Sequence, residues 1–187
     1  MTALVLALER EYAFVTYRIR PMSADDIPVM TSWHYPPPYD FYDPDADEDD
    51  LAELSDPSRW GHDYFTAVNE QHEVVGFFQF RLPEPGLVIE IGLGLRPDLT
   101  GIGLGRSYMT AGMDFAREHW CREAFQLFVA AFNRRAIKVY ERLGFRSVEE
   151  LRRFTGGEWR DFVRMEYPRS AETLGAAISA RSRSERR

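Results

Sequence analysis

The sequence predicts an α+β domain built on a mixed sheet. Three observations lead there. The 187-residue length suits one domain with a single substantial core. The periodicities run strand, helices, a group of antiparallel strands, then helix, strand, helix and two closing strands. A glycine-rich turn also joins one strand directly to an amphipathic helix. Residues 1–168 are expected to form the domain, with 1–13 as an N-terminal extension.

Residues from Phe14 to Arg20 read as the first strand, with aromatic, aliphatic and Thr residues concentrated there. Ser23 is placed to cap the next helix, and Asp25 and Asp26 fall in its first turn, where the helix dipole favours negative charge. Pro36, Pro37 and Pro38 exclude helix and central strand and predict an extended loop, followed by a short acidic helix ending near Leu54. Asp63 to Val68 and Val74 to Leu82 are β-rich runs across a polar turn, which is a hairpin signal. The Pro83-Glu84-Pro85-Gly86 turn then leads into a strand from Leu87 to Leu95. Tyr108, Met109, Met113, Ala116 and Trp120 give a helix from Gly105 to Trp120 one buried stripe. Ala124 to Ala130 is a strand, and Arg134 to Leu143 a helix stopped by Gly144. The closing strands fall near Ser147 to Phe154 and Phe162 to Tyr167, around a Gly156-Gly157 turn. The tail from 169 to 187 is poor in large apolar residues and reads as disordered or short-helical, with a basic nucleic-acid arm as the sharper alternative.

Composition narrows the function. A net charge of −7 argues against a general nucleic-acid binder, which needs a basic face, and is compatible with a cationic substrate. The MTALVLAL start is too short for a membrane helix and has no basic leader, so no membrane association and a cytoplasmic location are expected. Cys121 is the single cysteine, which excludes an intrachain disulfide and a cysteine metal site; it reads as a helix-end packing residue. His62 and His72 read as surface residues. Asp43-x-Asp45-x-Asp47 starts like a calcium loop but lacks glycine at the sixth position and has Leu54 at the twelfth, so no metal is expected.

The most informative segment runs from Glu90 to Arg106. A strand ending in Leu95 meets Pro97, and Gly101, Gly103 and Gly105 lead into the helix. Such glycines let main chain approach a ligand, and the helix start offers unpaired N–H groups and a positive dipole end: a pyrophosphate cradle, or else a tight helix-on-sheet turn. The spacing is not the dinucleotide-binding GxGxxG, and no Gly-Lys-Ser/Thr follows.

Pro97-Asp98-Leu99-Thr100-Gly101-Ile102-Gly103-Leu104-Gly105-Arg106 resembles the acetyl-CoA signature Gln/Arg-x-x-Gly-x-Gly/Ala of the GNAT N-acetyltransferases. Thr100 departs from the usual Gln or Arg and leaves the main-chain cradle intact. A second motif of that family, Asn followed by Tyr and then Gly-Phe, is matched by Asn133, Tyr140, Gly144 and Phe145. The resemblance covers roughly residues 60 to 167. It implies the GNAT fold: a mixed, mostly antiparallel twisted sheet of six or seven strands, about four flanking helices, and a V-shaped splay between the two central strands.

It further implies an acyl-CoA-dependent N-acyltransferase with acetyl-CoA as cosubstrate and an amine acceptor, possible dimerisation included. Leu93, Gly94 and Leu95 would pair with the pantetheine arm in the splay, with a Leu93 or Leu95 amide stabilising the oxyanion. Gly101, Ile102, Gly103, Leu104, Gly105 and Arg106 would hold the pyrophosphate. Asn133 would bond the pantetheine, and Tyr140 would lie near the sulfur as the acid for the departing thiolate. Glu90, the one carboxylate in the strand leading to the cradle, reads as a base acting through water or as a structural carboxylate. Its Glu-Ile-Gly setting is similar to the branch containing ribosomal-protein N-terminal acetyltransferases, but the glutamate expected five residues before the motif Asn in ribosomal alanine acetylases is replaced by Phe128. Trp33, His34, Tyr35, Tyr39, Phe41 and Tyr42 surround the prolines, and read as a cation–π box for an amine or as loop packing. The rival to catalysis is a regulatory module that binds acyl-CoA and acylates nothing.

Overall fold

The computed structural model describes residues 16–83 and 86–168. Seven strands form one sheet: β1 (Arg18–Pro21), β2 (Tyr64–Val68), β3 (Val74–Arg81), β4 (Ile89–Leu95), β5 (Phe125–Ala130), β6 (Arg146–Thr155) and β7 (Glu158–Tyr167). Their order is β1-β2-β3-β4-β5-β7-β6. Only the β4–β5 pair is parallel, so the sheet is mixed and mostly antiparallel, as expected. The helices are α1 (Ile27–Thr31), α2 (Glu48–Ser55), α3 (Gly105–Trp120) and α4 (Arg134–Leu143). No helix among the described residues is long and apolar enough to cross a membrane.

Strand alternation sorts side chains between two unlike faces. Phe78, Phe80, Ile89, Ile91, Phe125 and Leu127 point to one face and make the main core with Met109 and Met113 of α3 and Ile137 of α4. On the opposite face a smaller cluster of Met22, Met30, Trp33, Leu54 and Trp60 sits under α1 and α2, with Phe77 packed against it.

Several local expectations change. The first strand begins at Arg18 rather than Phe14, and residues 14 and 15 lie outside the described residues, as do the extension, the tail and part of the 83–86 turn. Ser23 holds the expected N-cap position, with Asp25 and Asp26 in the first turn, but makes no side-chain cap bond. Instead the buried Asp26 accepts from Ser23 N–H at 2.9 Å, from both Arg20 guanidinium nitrogens at 2.7 Å and from Thr66 Oγ1 at 2.8 Å, tying the start of α1 to β2. Burial opposes its charge, but these donors outweigh burial and hold its carboxyl well below the usual range. The proline loop is not extended throughout: Tyr39–Tyr42 winds into a 3₁₀ turn after a cis Pro37–Pro38 bond. Cys121 is exposed rather than packed and closes α3 in the left-handed region at φ 51°. The final hairpin is longer than its sequence signal at both ends of the turn, whose Gly156 and Gly157 take φ values of 56° and 77°.

The feature that positions everything else is a parting of strands. β4 and β5 pair only at Ile89 with Phe125 and at Glu90 with Gln126. β4 then runs on to Leu95 and β5 to Ala130 without a shared ladder. The expected V-shaped splay is present.

Candidate active site

The cradle is built by main chain. After β4, a 3₁₀ turn at Pro97–Leu99 turns the chain, and Thr100 Oγ1 donates to Pro97 O at 2.7 Å. Gly101 and Gly103 have φ of 77° and 96°, which side chains rarely adopt. The first α3 bond is Tyr108 N–H to Leu104 O at 3.0 Å. Among the described residues no protein group accepts from the N–H groups of Gly101 through Ser107, and no side chain caps the helix. Ile102 is 63% exposed and Gly101, Gly103, Arg106 and Ser107 are exposed with it, so the turn is open to solvent. A Cβ on Gly105 would lie 3.3 Å from Val139, so glycine lets α3 approach α4 closely. A Cβ on Gly101 would lie 3.4 Å from Arg135 Nη1, which sets a guanidinium beside the open donors. Helix-start N–H groups and one cation suit a diphosphate.

The gap itself is lined by β4 main chain. Ile89 N–H points toward β5 and bonds Ala124 O, whereas Arg96 N–H points toward β3 and bonds Val75 O. Strand alternation therefore turns the amides of Leu93 and Leu95 into the gap. Gly94 faces β3, where Tyr108 Oη lies 2.9 Å from the carbonyls of both Gly94 and Phe77. That phenol fits because Gly76 has no side chain: a Cβ there would sit 2.1 Å from Tyr108 Oη.

On the other side of the gap, Asn133 caps α4. Its Oδ1 accepts from Ala136 N–H at 3.0 Å and its Nδ2 donates to Tyr42 Oη at 3.2 Å. Both ends of its amide are thus engaged within the protein, with one Nδ2 hydrogen left over. Tyr140 follows two turns later, 8% exposed, with its ring against Phe145. Its hydroxyl has no acceptor among the described residues, and the sealed, unpartnered polar atoms are Tyr17 Oη and Arg160 Nε instead. Burial, with the Tyr42 phenol nearby, pushes the Tyr140 pKa up, which keeps it protonated at neutral pH.

Glu90 stands where the V closes. Its Oε2 accepts from Gln126 Nε2 at 2.9 Å, and Arg81 is its cross-strand neighbour. Arg153 lies over the Phe128 ring at 3.5 Å; burial lowers its pKa and Glu90 pulls the other way. Because Glu90 alternates with Ile89 and Ile91, its side chain lies on the face opposite α4 and Tyr140. A ligand would have to pass through the gap to touch both groups.

The aromatic loop closes that second face. Tyr35 Oη donates to Leu95 O at 2.9 Å on one arm of the V, while Tyr42 meets Asn133 on the other. Asp43 fixes the loop by accepting from Tyr35 N–H at 2.7 Å and meeting His34 Nδ1 at 3.0 Å. His34, Asp43 and Asp45 offer donor atoms within 4.8 Å of one another, a cluster the sequence reading did not anticipate. Phe41 packs on Phe132 and Phe162, and Arg135 and Arg160 already cover the rings of Tyr39 and Phe41. Of the two readings of these aromatics, packing describes most of them. The acidic helix is likewise engaged: Glu53 Oε1 accepts from Tyr64 at 2.7 Å and Arg81 at 3.1 Å, and Asp47 Oδ2 accepts from Gly156 N–H at 2.6 Å. Sequence reasoning marked the loop but missed Arg135 and the bridging phenols of Tyr35 and Tyr42. Their partners lie far away in the chain, and no local pattern announces them.

A strand-to-helix glycine cradle beside two parting central strands is the architecture of acetyltransferases. The sequence model of the acetyltransferase (GNAT) family matches residues 27–145, and the chain belongs to that family. It is 36% identical over 100 residues to a mycothiol acetyltransferase of Saccharopolyspora erythraea, a match covering 52% of this chain and 32% of that protein. A second, from Paenarthrobacter aurescens, is 30% identical over 87 residues, covering 44% of this chain and 27% of that one. The match thus spans about a third or less of these relatives' length. Among solved structures, spermidine N-acetyltransferase from Vibrio cholerae in complex with CoA and spermine superposes with a TM-score of 0.65 at 20% identity, covering 81% of this chain and 94% of that one. A GNAT acetyltransferase from Bacillus anthracis gives 0.66 at 17% identity, covering 82% and 96%. At these identities the shared property is the fold.

Proposed function

We propose that the chain transfers an acetyl group from acetyl-CoA directly to a primary amine in a ternary complex, without an acyl-enzyme. The observation that supports this most is the gap between β4 and β5, open to the glycine cradle at one end and flanked by Tyr140 and Glu90 on opposite faces. In this reading the N–H groups of Gly101 to Arg106 hold the pyrophosphate, with Arg135 beside them. The Leu93-Gly94-Leu95 main chain pairs with the pantetheine arm, assisted by the spare hydrogen of Asn133. The amine nitrogen bonds to the thioester carbon while a Leu93 or Leu95 N–H stabilises the oxyanion. As the carbon–sulfur bond breaks, Tyr140 gives its proton to the thiolate, and Glu90, through water, takes the proton the amine sheds.

The test is release of CoA from acetyl-CoA with a panel of amines: spermidine, spermine, the acceptor of mycothiol acetyltransferase, an amino sugar, an amino acid and a peptide N-terminus. Turnover with at least one is expected. CoA that stabilises the fold thermally with no turnover on any amine would leave a binding module. For Glu90→Gln the loss should be greatest at low pH, where the amine is mostly protonated. A loss independent of pH would remove Glu90 as the base.

A further inference from the structure

Residues paired directly across strands share a face of the sheet, as do residues two apart on one strand. Glu90 pairs with Gln126, two residues before Phe128. Phe128 pairs with Arg164, two residues from Phe162, and Phe162 pairs with Leu151, two residues from Arg153. Glu90 and Arg153 therefore stand on the same face. From β6 the Arg153 side chain crosses β7 to reach β5: its guanidinium carbon lies 3.5 Å from the centre of the Phe128 ring and 5.8 Å from that of Phe162. A separation of 3.5 Å is van der Waals contact, so the guanidinium lies flat on Phe128 and its N–H donors stand at its rim.

Those donors are not spent within the protein. Arg81, Arg160 and Arg164 share this face, and each holds a carboxylate: Arg81 that of Glu53 at 3.1 Å, Arg160 that of Glu158, and Arg164 those of Glu149, at 3.0 Å, and Glu166. Among the described residues no carboxylate lies within ion-pair distance of Arg153, and no group accepts a hydrogen bond from it. Burial works against its charge, and Glu90 favours that charge through space without a bond. Its place matters as much as its chemistry. Phe128 lies two residues past Gln126, where the β4–β5 ladder ends, so the guanidinium covers the β5 arm of the V just beyond Glu90.

We infer that Arg153 receives a carboxylate carried by the acceptor, so that the amine acylated in the gap belongs to an amino acid rather than to a polyamine or a neutral amine. This rests on the acetyl transfer proposed above. A planar guanidinium meets a carboxylate through two parallel N–H···O bonds. Arg153 and Glu90 set opposite charges along one face, and an amino acid matches them, its carboxylate on Arg153 and its ammonium toward Glu90.

The experiment measures CoA release with amino acids and with the amines left when their carboxylate is removed: leucine with isoamylamine, phenylalanine with phenethylamine, lysine with cadaverine. The preferred amino acid should exceed its matched amine in kcat/KM by about tenfold to a hundredfold, the scale of a charge-assisted hydrogen-bond pair. Arg153→Gln should abolish that advantage by raising the amino-acid KM, while the matched amine and acetyl-CoA keep their KM values within about twofold, and Arg153→Lys should fall between. Amines used as well as amino acids would overturn the inference. So would an Arg153→Gln loss shared equally by both members of a pair, which would mean that the guanidinium acts only on Glu90. If no amine is turned over, acetyl transfer fails by itself, and calorimetry with N-acetyl amino acids in the presence of CoA still decides: binding abolished by Arg153→Gln supports the carboxylate site, and no binding, or binding indifferent to the substitution, overturns it.

Discussion

The two faces of the sheet are built differently. On the α3–α4 face the core is continuous and apolar, and the exposed groups at its margin are main-chain amides held by glycine geometry. On the α1–α2 face the apolar cluster is small, and the surface is governed by side chains: phenols, arginines and carboxylates bonding across long stretches of chain. The first face suits a cosubstrate whose form is fixed. The second suits an acceptor that differs between relatives, because side chains change without disturbing a backbone cradle.

That contrast can be broken at its junction. Tyr140→Phe removes a proton donor while keeping the ring, and should lower turnover about 100-fold while leaving CoA affinity within about twofold by calorimetry. Unchanged turnover would take Tyr140 out of the chemistry. Next in size, Gly103→Val forces a β-branched side chain into φ 96° and should weaken CoA binding roughly tenfold or more, with little effect on acceptor KM. Smaller still, Tyr35→Phe deletes the hydroxyl bond to Leu95, so acceptor KM should rise by roughly threefold to tenfold, the scale of one hydrogen bond. If the acetyl-CoA KM moves instead, the loop belongs to the donor side.

The mildest expectation concerns pH and treats both faces alike. Burial raises the phenol pKa values of Tyr35, Tyr64 and Tyr140 above their unfolded value. Below about pH 10 both folded and unfolded states keep these protons, so stability does not depend on them. Above it the unfolded chain sheds protons that the folded one retains, and stability should decline. Denaturant midpoints should therefore be level from pH 8 to 9.5 and fall by pH 11. A level midpoint there would mean the phenols are solvated.

Legibility in the sequence followed the same division. The bounds of α3 and α4 were readable in full, because each has an apolar stripe and a glycine marking one end. The glycine turn between β4 and α3 was readable too, since its geometry depends on residues that adopt positive φ and little else. β7 was underestimated: its start was expected at Phe162, whereas the polar run Glu158-Trp159-Arg160-Asp161 is drawn into the strand by pairing with β6. Asn133 was expected to face the cosubstrate, whereas most of its capacity goes to capping α4 and to Tyr42. The Tyr35–Leu95 bond joins residues sixty positions apart, a contact that only the folded sheet creates.

The cradle also determines how this protein can drift over generations. Because the N–H groups that would hold a phosphate belong to the main chain, the identities of Thr100, Ile102 and Leu104 would be weakly constrained by such binding, and Thr100 already departs from the family pattern. The vulnerable positions reduce to Gly101 and Gly103, whose torsions exclude most side chains, and Gly105, which gives α4 its room. Under the proposed function, a binding site carried by so few intolerant residues would present a small mutational target and could persist while the opposite face was rebuilt around a new amine.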